Sequence, residues 1–165
     1  FAKKEAAFYA LPLEIIHRDS IKECLACVVK NANPTSDVAM FMGTRSTDPY
    51  SEGLVAFAPT DPGWPSLMRI NPILEWQYHQ IWELILSAKL HYCSLYDEGY
   101  TSIGPRYSTI PNPKLRQKNG SFRPAHQLED PLYERAGRTK PVTIHIQMPN
   151  SQQSISLIVY PFEKI

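Results

Sequence analysis

The sequence lacks long apolar runs and has only three cysteines among its 165 residues. A membrane-spanning helix requires roughly 20 consecutive apolar residues, and no stretch approaches that length. No signal-peptide pattern opens the chain either. Three cysteines without regular spacing favour a reducing, intracellular compartment over a disulfide framework. We therefore expect a cytoplasmic protein that does not enter a membrane.

The chain also lacks a strong charge of either sign. Its formal net charge is +1, whereas a broad nucleic-acid surface requires a strongly basic face. The hydrophobic share of 43% and the charged share of 20% are those of an ordinary globular protein. The composition thus predicts a globular domain with its own core and no nucleic-acid partner.

Several well-known catalytic motifs are absent. The phosphate-binding patterns GxxxxGK[ST] and GxGxxG do not occur, and neither do GxSxG or HxxxH. Cys24 and Cys27 form a CxxC, but zinc would need two more ligands, and only His91 and Cys93 offer a loose second pair. We interpret Cys24 and Cys27 as core residues of a helix and predict no metal centre built from protein ligands.

The first part of the chain has the pattern of a β-strand, a helix and a second strand. Residues 7–16 are apolar and rich in β-formers, and a helix is predicted over 18–32, beginning at Asp19 or Ser20. The apolar run 37–45 is typical of a parallel strand that ends at a ligand-binding edge. We expect an α/β fold with a partly parallel sheet flanked by helices.

The remaining chain contains a proline-rich loop, a long helix and two later strands. Residues 46–72 are predicted to be loop, and 73–90 to be a helix. Residues 142–160 alternate in the manner of a β-hairpin. We predict a domain over 1–138 and a C-terminal β-hairpin extension over 139–165. The buried stripe of the long helix is predicted to contain Ile81, Trp82, Ile85 and Leu86.

Charged side chains recur on the turns of the sequence. Each one taken alone is most simply a solvated charge. Together, three arginine-bearing turns and a tryptophan between prolines favour a pocket for a planar, polyanionic ligand such as a flavin or an adenine nucleotide. The residues concerned are Arg45, Asp48, Asp61, Trp64, Arg69, Arg135 and Arg138.

These turns carry a resemblance to a known family. The segments "MGTRSTDPY", "TDPGWPSLMRINPILEWQYHQIWELI", "HYCSLYDEGYTSIG", "NPKL" and "FRPAHQLEDPLYERAGR" resemble the eukaryotic FAD synthases, with the fungal members most similar. That family is the PAPS reductase-like branch of the Rossmann-like adenine nucleotide α-hydrolase fold. The resemblance covers residues 8–138. It implies an FMN adenylyltransferase that converts FMN and ATP into FAD and pyrophosphate, with Mg²⁺ held mainly by the ATP phosphates.

The resemblance also implies roles for individual residues. The flavin pocket would be lined by one turn and the arginine after it, and the phosphates would be reached by two arginines of the last motif. Arg138→Ala is then expected to slow transfer more than it weakens binding. The flavin-pocket residues are Asp61, Pro62, Gly63, Trp64 and Arg69; the phosphate residues are Arg135 and Arg138; Gly43, Arg45 and Asp48 would face the nucleotide.

The sequence departs from the family at the phosphate loop. Family members carry an SGGxD-type loop that cradles ATP, and this chain, which begins at Phe1, contains no such motif. An upstream segment or a second chain would then supply the loop. At the long helix, Gln77 and Gln80 replace the family's Ser/Thr and Asp, so we expect the capping box to be lost.

Three other interpretations remain open. A module that binds flavin or nucleotide without turnover requires the same pocket. A sulfonucleotide reductase shares the fold but needs a reactive cysteine near its C-terminus, and none follows Cys93. An interaction domain without a ligand would present the hairpin as its surface.

Overall fold

The computed structural model describes residues 1–32 and 37–139 and the two strands at 142–147 and 154–159. The chain divides into two compact units, Phe1–Ile81 and Trp82–Ile165. The predicted boundary between 138 and 139 stays a prediction.

The first unit contains two helices and a small mixed sheet. Helix α1 is Ala2–Phe8 and helix α2 is Ile21–Asn31; strands β1, β2 and β3 are Ala39–Phe41, Phe57–Pro59 and Met68–Ile70. The sheet order is β1-β3-β2. Strand β1 pairs with β3 in parallel, and β2 pairs with β3 antiparallel. The predicted α/β class and partly parallel sheet are thus confirmed.

The predicted strand over 7–16 is wrong. Residues 2–8 form a helix and 11–18 have no strand pairing. The sequence "AKKEAAF" consists mostly of strong helix formers, and Pro12 lacks the N–H that a central strand would need. The predicted βαβ unit over residues 7–45 is therefore not formed.

Helix α2 confirms the prediction for residues 18–32. Ser20 is its N-cap, and the Ser20 Oγ accepts a hydrogen bond from the backbone N–H of Glu23 at 3.2 Å. The expected burial of its apolar face is wrong, because α2 has no buried residue and Ile21 is 75% exposed.

Helix α3, Tyr78–Ser87, confirms the long predicted helix with shorter bounds. Tyr78 and Trp82 are buried, whereas Leu86, predicted in the stripe, is exposed. Half of a capping box also persists, since the side chain of Gln80 accepts a hydrogen bond from the backbone N–H of Gln77 at 2.8 Å. The prediction that the capping box is lost is therefore wrong for this one hydrogen bond.

The second unit is built mainly from turns around a small core. Strands β4, Val142–Gln147, and β5, Ser154–Val159, pair antiparallel, which confirms the predicted C-terminal hairpin. The buried apolar residues are Trp82, Leu115, Ala125 and Leu128. The 3₁₀ turns of the described part are Ser94–Tyr96, Arg106–Ser108, Pro113–Leu115, Ala125–Gln127 and Pro131–Tyr133.

Candidate functional site

The turn after β1 holds Arg45 against Asp48. The backbone N–H of Arg45 donates to Asp48 Oδ2 at 2.9 Å, and Arg45 Nη2 donates to Asp48 Oδ1 at 3.2 Å. The two side chains are 9% and 25% exposed, so this ion pair is mostly shielded from water. Ser51 closes the turn by donating its hydroxyl to the carbonyls of Ser46 and Asp48. Asp48 therefore fixes both the backbone and the guanidinium of Arg45.

The segment predicted as a loop over 46–72 contains a β-hairpin, β2–β3. Residues 60–67 connect the two strands, and Thr60 closes this connection at its base. The Thr60 N–H donates to the Leu67 carbonyl at 3.1 Å, and its hydroxyl donates to the Pro65 carbonyl at 2.7 Å. The prediction that 46–72 is entirely loop is therefore wrong. Strands β2 and β3 have three residues each, which is too short for a visible alternation of apolar and polar residues.

The motif Asp61-Pro62-Gly63-Trp64 forms a type II β-turn within this hairpin. The backbone N–H of Trp64 donates to the Asp61 carbonyl at 3.1 Å. Pro62 supplies the fixed φ of the second position, and Gly63 supplies the positive φ of the third, at +84°. A stiff turn of this kind fixes where the side chains of Asp61 and Trp64 emerge.

Arg69 pairs with the carboxylate of this turn. Its Nη2 donates to Asp61 Oδ1 at 3.1 Å and its Nη1 to Asp61 Oδ2 at 3.4 Å. Nη2 also donates to the Pro59 carbonyl at 2.8 Å. Because the Asp61 side chain is 67% exposed, water screens the pair, and its main effect is to orient the guanidinium.

Trp64, the last residue of the turn, is partly exposed. The residue is 43% exposed, which is unusual for a side chain of this size in a stiff turn. Asp61, Trp64 and Arg69 are thus brought together, with Asp61 bonded to both others. An exposed aromatic side chain and a guanidinium fixed by the same aspartate are groups that can contact the ring and the polar edge of a flat ligand.

In the second unit, Arg135 and Arg138 lie on one turn. The backbone N–H of Arg138 donates to the Arg135 carbonyl at 2.9 Å. Arg135 is exposed and Arg138 is half-buried. Arg138 Nη1 donates to the carbonyl of Ile103 at 3.1 Å and to Ser102 Oγ at 3.4 Å. The "TSIG" motif therefore supports the guanidinium of Arg138.

A buried asparagine that the sequence analysis missed holds the backbone of this turn. Asn112 is fully buried, and its Nδ2 donates to Thr101 Oγ1 and to the Tyr133 carbonyl, each at 2.8 Å. The Thr101 hydroxyl in turn donates to the Glu134 carbonyl at 2.6 Å. The signal in the sequence was "NPKL", which the resemblance included without assigning a role to its asparagine.

The described residues contain no cluster of three or more His, Cys, Asp or Glu side chains that could hold a metal ion. No helix among the described residues is long and apolar enough to cross a bilayer. The three cysteines are all free thiols.

The fold and these turns define an α/β domain with arginine-bearing turns. Comparison of the chain with known protein families shows which family it belongs to. The phosphoadenosine phosphosulfate reductase domain model matches residues 25–111, which is more than half of the chain. The chain belongs to this family.

Within the family the chain is similar to FAD synthases. It is 49% identical over 104 residues to the probable FAD synthase of Schizosaccharomyces pombe, covering 63% of this chain and 39% of that protein. The crystal structure of Candida glabrata FMN adenylyltransferase in complex with FAD and inorganic pyrophosphate matches with a TM-score of 0.78 and 27% identity, covering 85% of this chain and 61% of that one. The complex of the same enzyme with FMN and the ATP analogue AMPCPP gives a TM-score of 0.77 at 27% identity, over 84% and 63% of the two chains.

Proposed function

We propose that this chain is the flavin-binding portion of an FMN adenylyltransferase, which transfers AMP from ATP to FMN. The similar proteins named above support this function. The observation that carries it is the stiff turn of Asp61 and Trp64, in which the Asp61 carboxylate holds Arg69 and Trp64 is partly exposed. The chain spans 39% of the S. pombe protein, so the activity of a whole enzyme is part of the proposal.

The reaction needs no covalent intermediate on the protein. A phosphate oxygen of FMN bonds to the α-phosphorus of ATP, and the bond between that phosphorus and the oxygen leading to the β-phosphorus breaks. The products are FAD and pyrophosphate. Phosphate monoesters have a second pKa of about 6, so the FMN phosphate is mostly dianionic near neutral pH and needs no strong base. The work of the protein is to align the reactants and to neutralise charge.

The described turns provide groups for both tasks. Trp64 and the turn before it would contact the isoalloxazine, with Arg69 at its polar edge. Arg135 and Arg138 would contact phosphate oxygens, because guanidinium forks match phosphate geometry. Gly43, Arg45 and Asp48 follow β1 and would face the nucleotide, with Asp48 holding Arg45 in place. These assignments of all ten residues are proposals.

The ATP phosphates require groups beyond the described ones. We propose that an N-terminal segment or a second chain supplies the phosphate loop whose motif this sequence lacks. We propose that Mg²⁺ is held mainly by the ATP phosphates. The three free thiols support a reducing compartment, and we propose the cytoplasm.

Incubation of the chain with FMN, ATP and Mg²⁺ tests the proposal. We expect FMN to bind, with altered flavin fluorescence, and FAD formation to stay near zero until the phosphate loop is supplied by an N-terminal fragment of a fungal relative. Chromatography of the flavins separates FAD from FMN. Lack of FMN binding would refute the flavin site, and steady FAD synthesis by the 165 residues alone would refute the need for the loop.

A second candidate is a module that binds flavin without turnover. It requires only the turn of Asp61 and Trp64 with Arg69, which the described residues contain. The same incubation separates the two functions, since only the enzyme portion gains FAD synthesis when the loop fragment is added.

A further inference from the structure

The guanidinium of Arg138 occupies the space above Gly104. A Cβ atom built on Gly104 would overlap Arg138 Cζ and both Nη atoms. Gly104 is not one of the glycines with positive φ, so its backbone conformation is open to any residue. Gly104 therefore leaves room for the guanidinium of Arg138, and its backbone conformation does not require glycine.

The polar contacts of Arg138 involve one side of its guanidinium. Nη1 donates to the carbonyl of Ile103 and to Ser102 Oγ. Within the described residues, neither Nη2 nor Nε of Arg138 makes a hydrogen bond, and no carboxylate lies within ion-pair distance. The charge is thus fixed in position by neutral acceptors and keeps donors for an anion.

The backbone on both sides of Arg138 is also fixed. Arg138 forms an antiparallel bridge with Thr109. The N–H of Thr139 donates to the Ser108 carbonyl at 3.0 Å, and the N–H of Ile110 donates to the Gly137 carbonyl at 2.9 Å. Hydrogen bonds therefore hold both the backbone of Arg138 and the end of its side chain.

We propose that Gly104 is a positioning residue, whose lack of a side chain seats Arg138 so that its remaining donors meet the phosphate of the bound flavin nucleotide. This inference rests on the proposed function for its ligand. Gly104 itself touches the guanidinium and acts only through it.

The test is Gly104→Ala in the full chain. In ¹⁵N NMR of arginine side chains, the Arg138 resonances should indicate a restricted guanidinium in the wild type and a mobile one in Gly104→Ala. The affinity for FMN should fall about fivefold, as expected for one charge-assisted contact at a partly exposed site. The affinity for riboflavin, which lacks the phosphate, should not change.

Double variants distinguish positioning from damage to the fold. In an Arg138→Ala background, Gly104→Ala should have no further effect on FMN affinity. Gly137→Ala is the contrasting control, because its Cβ would meet the backbone carbonyl of Ile110; its effect should persist in that background. If Gly104→Ala does not fold, Ser102→Ala removes an Nη1 acceptor without adding atoms and should also mobilise Arg138.

An unchanged Arg138 signal, or a loss of FMN affinity that persists without Arg138, would overturn the inference. A mobile Arg138 with unchanged FMN affinity would overturn it too, while wild-type FMN binding would still support the proposed function. A wild type that binds neither FMN nor riboflavin would refute the proposed function itself.

Discussion

At the scale of single residues, Arg69 shows how a surface ion pair can matter without adding much stability. Its partner Asp61 is mostly exposed, and exposed pairs contribute about 0–1 kcal/mol to folding. The same contacts fix the direction of the Arg69 guanidinium. Their consequence should therefore appear in ligand binding more than in unfolding.

We predict that Arg69→Ala weakens FMN binding about tenfold, as for a lost charge-assisted contact. Asp61→Ala should weaken it less, because Arg69 keeps the Pro59 carbonyl as an acceptor. Equilibrium dialysis with FMN measures both. Arg123→Ala is a matched control, since Arg123 also forms an exposed ion pair, with Glu129 at 3.1 Å. Equal FMN affinities for Arg69→Ala and the wild type would contradict the assignment.

Tyr92 provides a pH-dependent prediction in the second unit. Its hydroxyl donates to Asp97 Oδ1 at 2.8 Å, and this hydrogen bond, burial and the charge of Asp97 raise the pKa of Tyr92 above its ordinary value of 10.0. A pKa that is higher in the folded state gives stability that is complete below the unfolded pKa and is lost as pH rises through the folded one. The relevant window thus begins near pH 10.

We expect the wild type to lose thermal stability as the pH rises above about 10. Tyr92→Phe removes the titrating group, so the loss over this window should be smaller. Asp97→Asn replaces the charged acceptor of this hydrogen bond by a neutral one and should also reduce the loss. Melting temperatures over this window measure the effect, and parallel curves for the wild type and Tyr92→Phe would contradict it.

At the scale of elements, the β2–β3 hairpin depends on its turn. Gly63 has a φ of +84°, and a Cβ there would meet no atom within 4 Å, so conformation alone requires glycine. Gly63→Ala should destabilise the fold by about 1 kcal/mol, or about 3 °C in melting temperature for a chain of this size.

Gly43→Ala is the control for stability, because a Cβ at Gly43 also meets no atom within 4 Å and its φ is not positive. Its melting temperature should match that of the wild type. If Gly63→Ala and Gly43→Ala melt at the same temperature, the conformational requirement for glycine in the turn does not exist.

The turn of Arg135 and Arg138 depends on Asn112 in a different way. Replacing a fully buried side chain that donates to Thr101 and to the Tyr133 carbonyl leaves acceptors without partners. We expect Asn112→Ala to lower the free energy of unfolding by about 3 kcal/mol. Denaturant unfolding measures it. Asn119→Ala, at an exposed asparagine that caps Ser121, should cost about 0.5 kcal/mol, and equal losses would contradict the buried network.

Elements with strong local signals were predictable from the sequence. Helix α2 has a serine N-cap, α3 has a 3.6-residue apolar period, and the C-terminal hairpin alternates with a period of two. The short strands β2 and β3 carry no such signal, because pairing across the sheet stabilises them. For residues 7–16 the prediction of a strand relied on apolar residues. The strong helix formers before Pro12 form a helix instead, and the apolar residues after Pro12 pair with no strand.

At the scale of the whole molecule, the sequence predicted the residue types of the candidate site but not their supports. The type II turn follows from the order Pro-Gly, since proline favours the second position and the positive φ of the third favours glycine. The contact between Arg138 and Gly104 joins residues 34 positions apart, and no local sequence pattern predicts such a contact. The structural roles of Asn112, Thr101 and Gly104 therefore became visible only in three dimensions.

The most direct test of the account is titration of the 165-residue chain into FMN while the polarisation of flavin fluorescence is recorded. We predict a saturable rise for the wild type, and no rise for Trp64→Ala, in which the aromatic face is lost. Polarisation that stays at the value of free FMN, or an identical curve for Trp64→Ala, would contradict the claim that this turn binds a flavin.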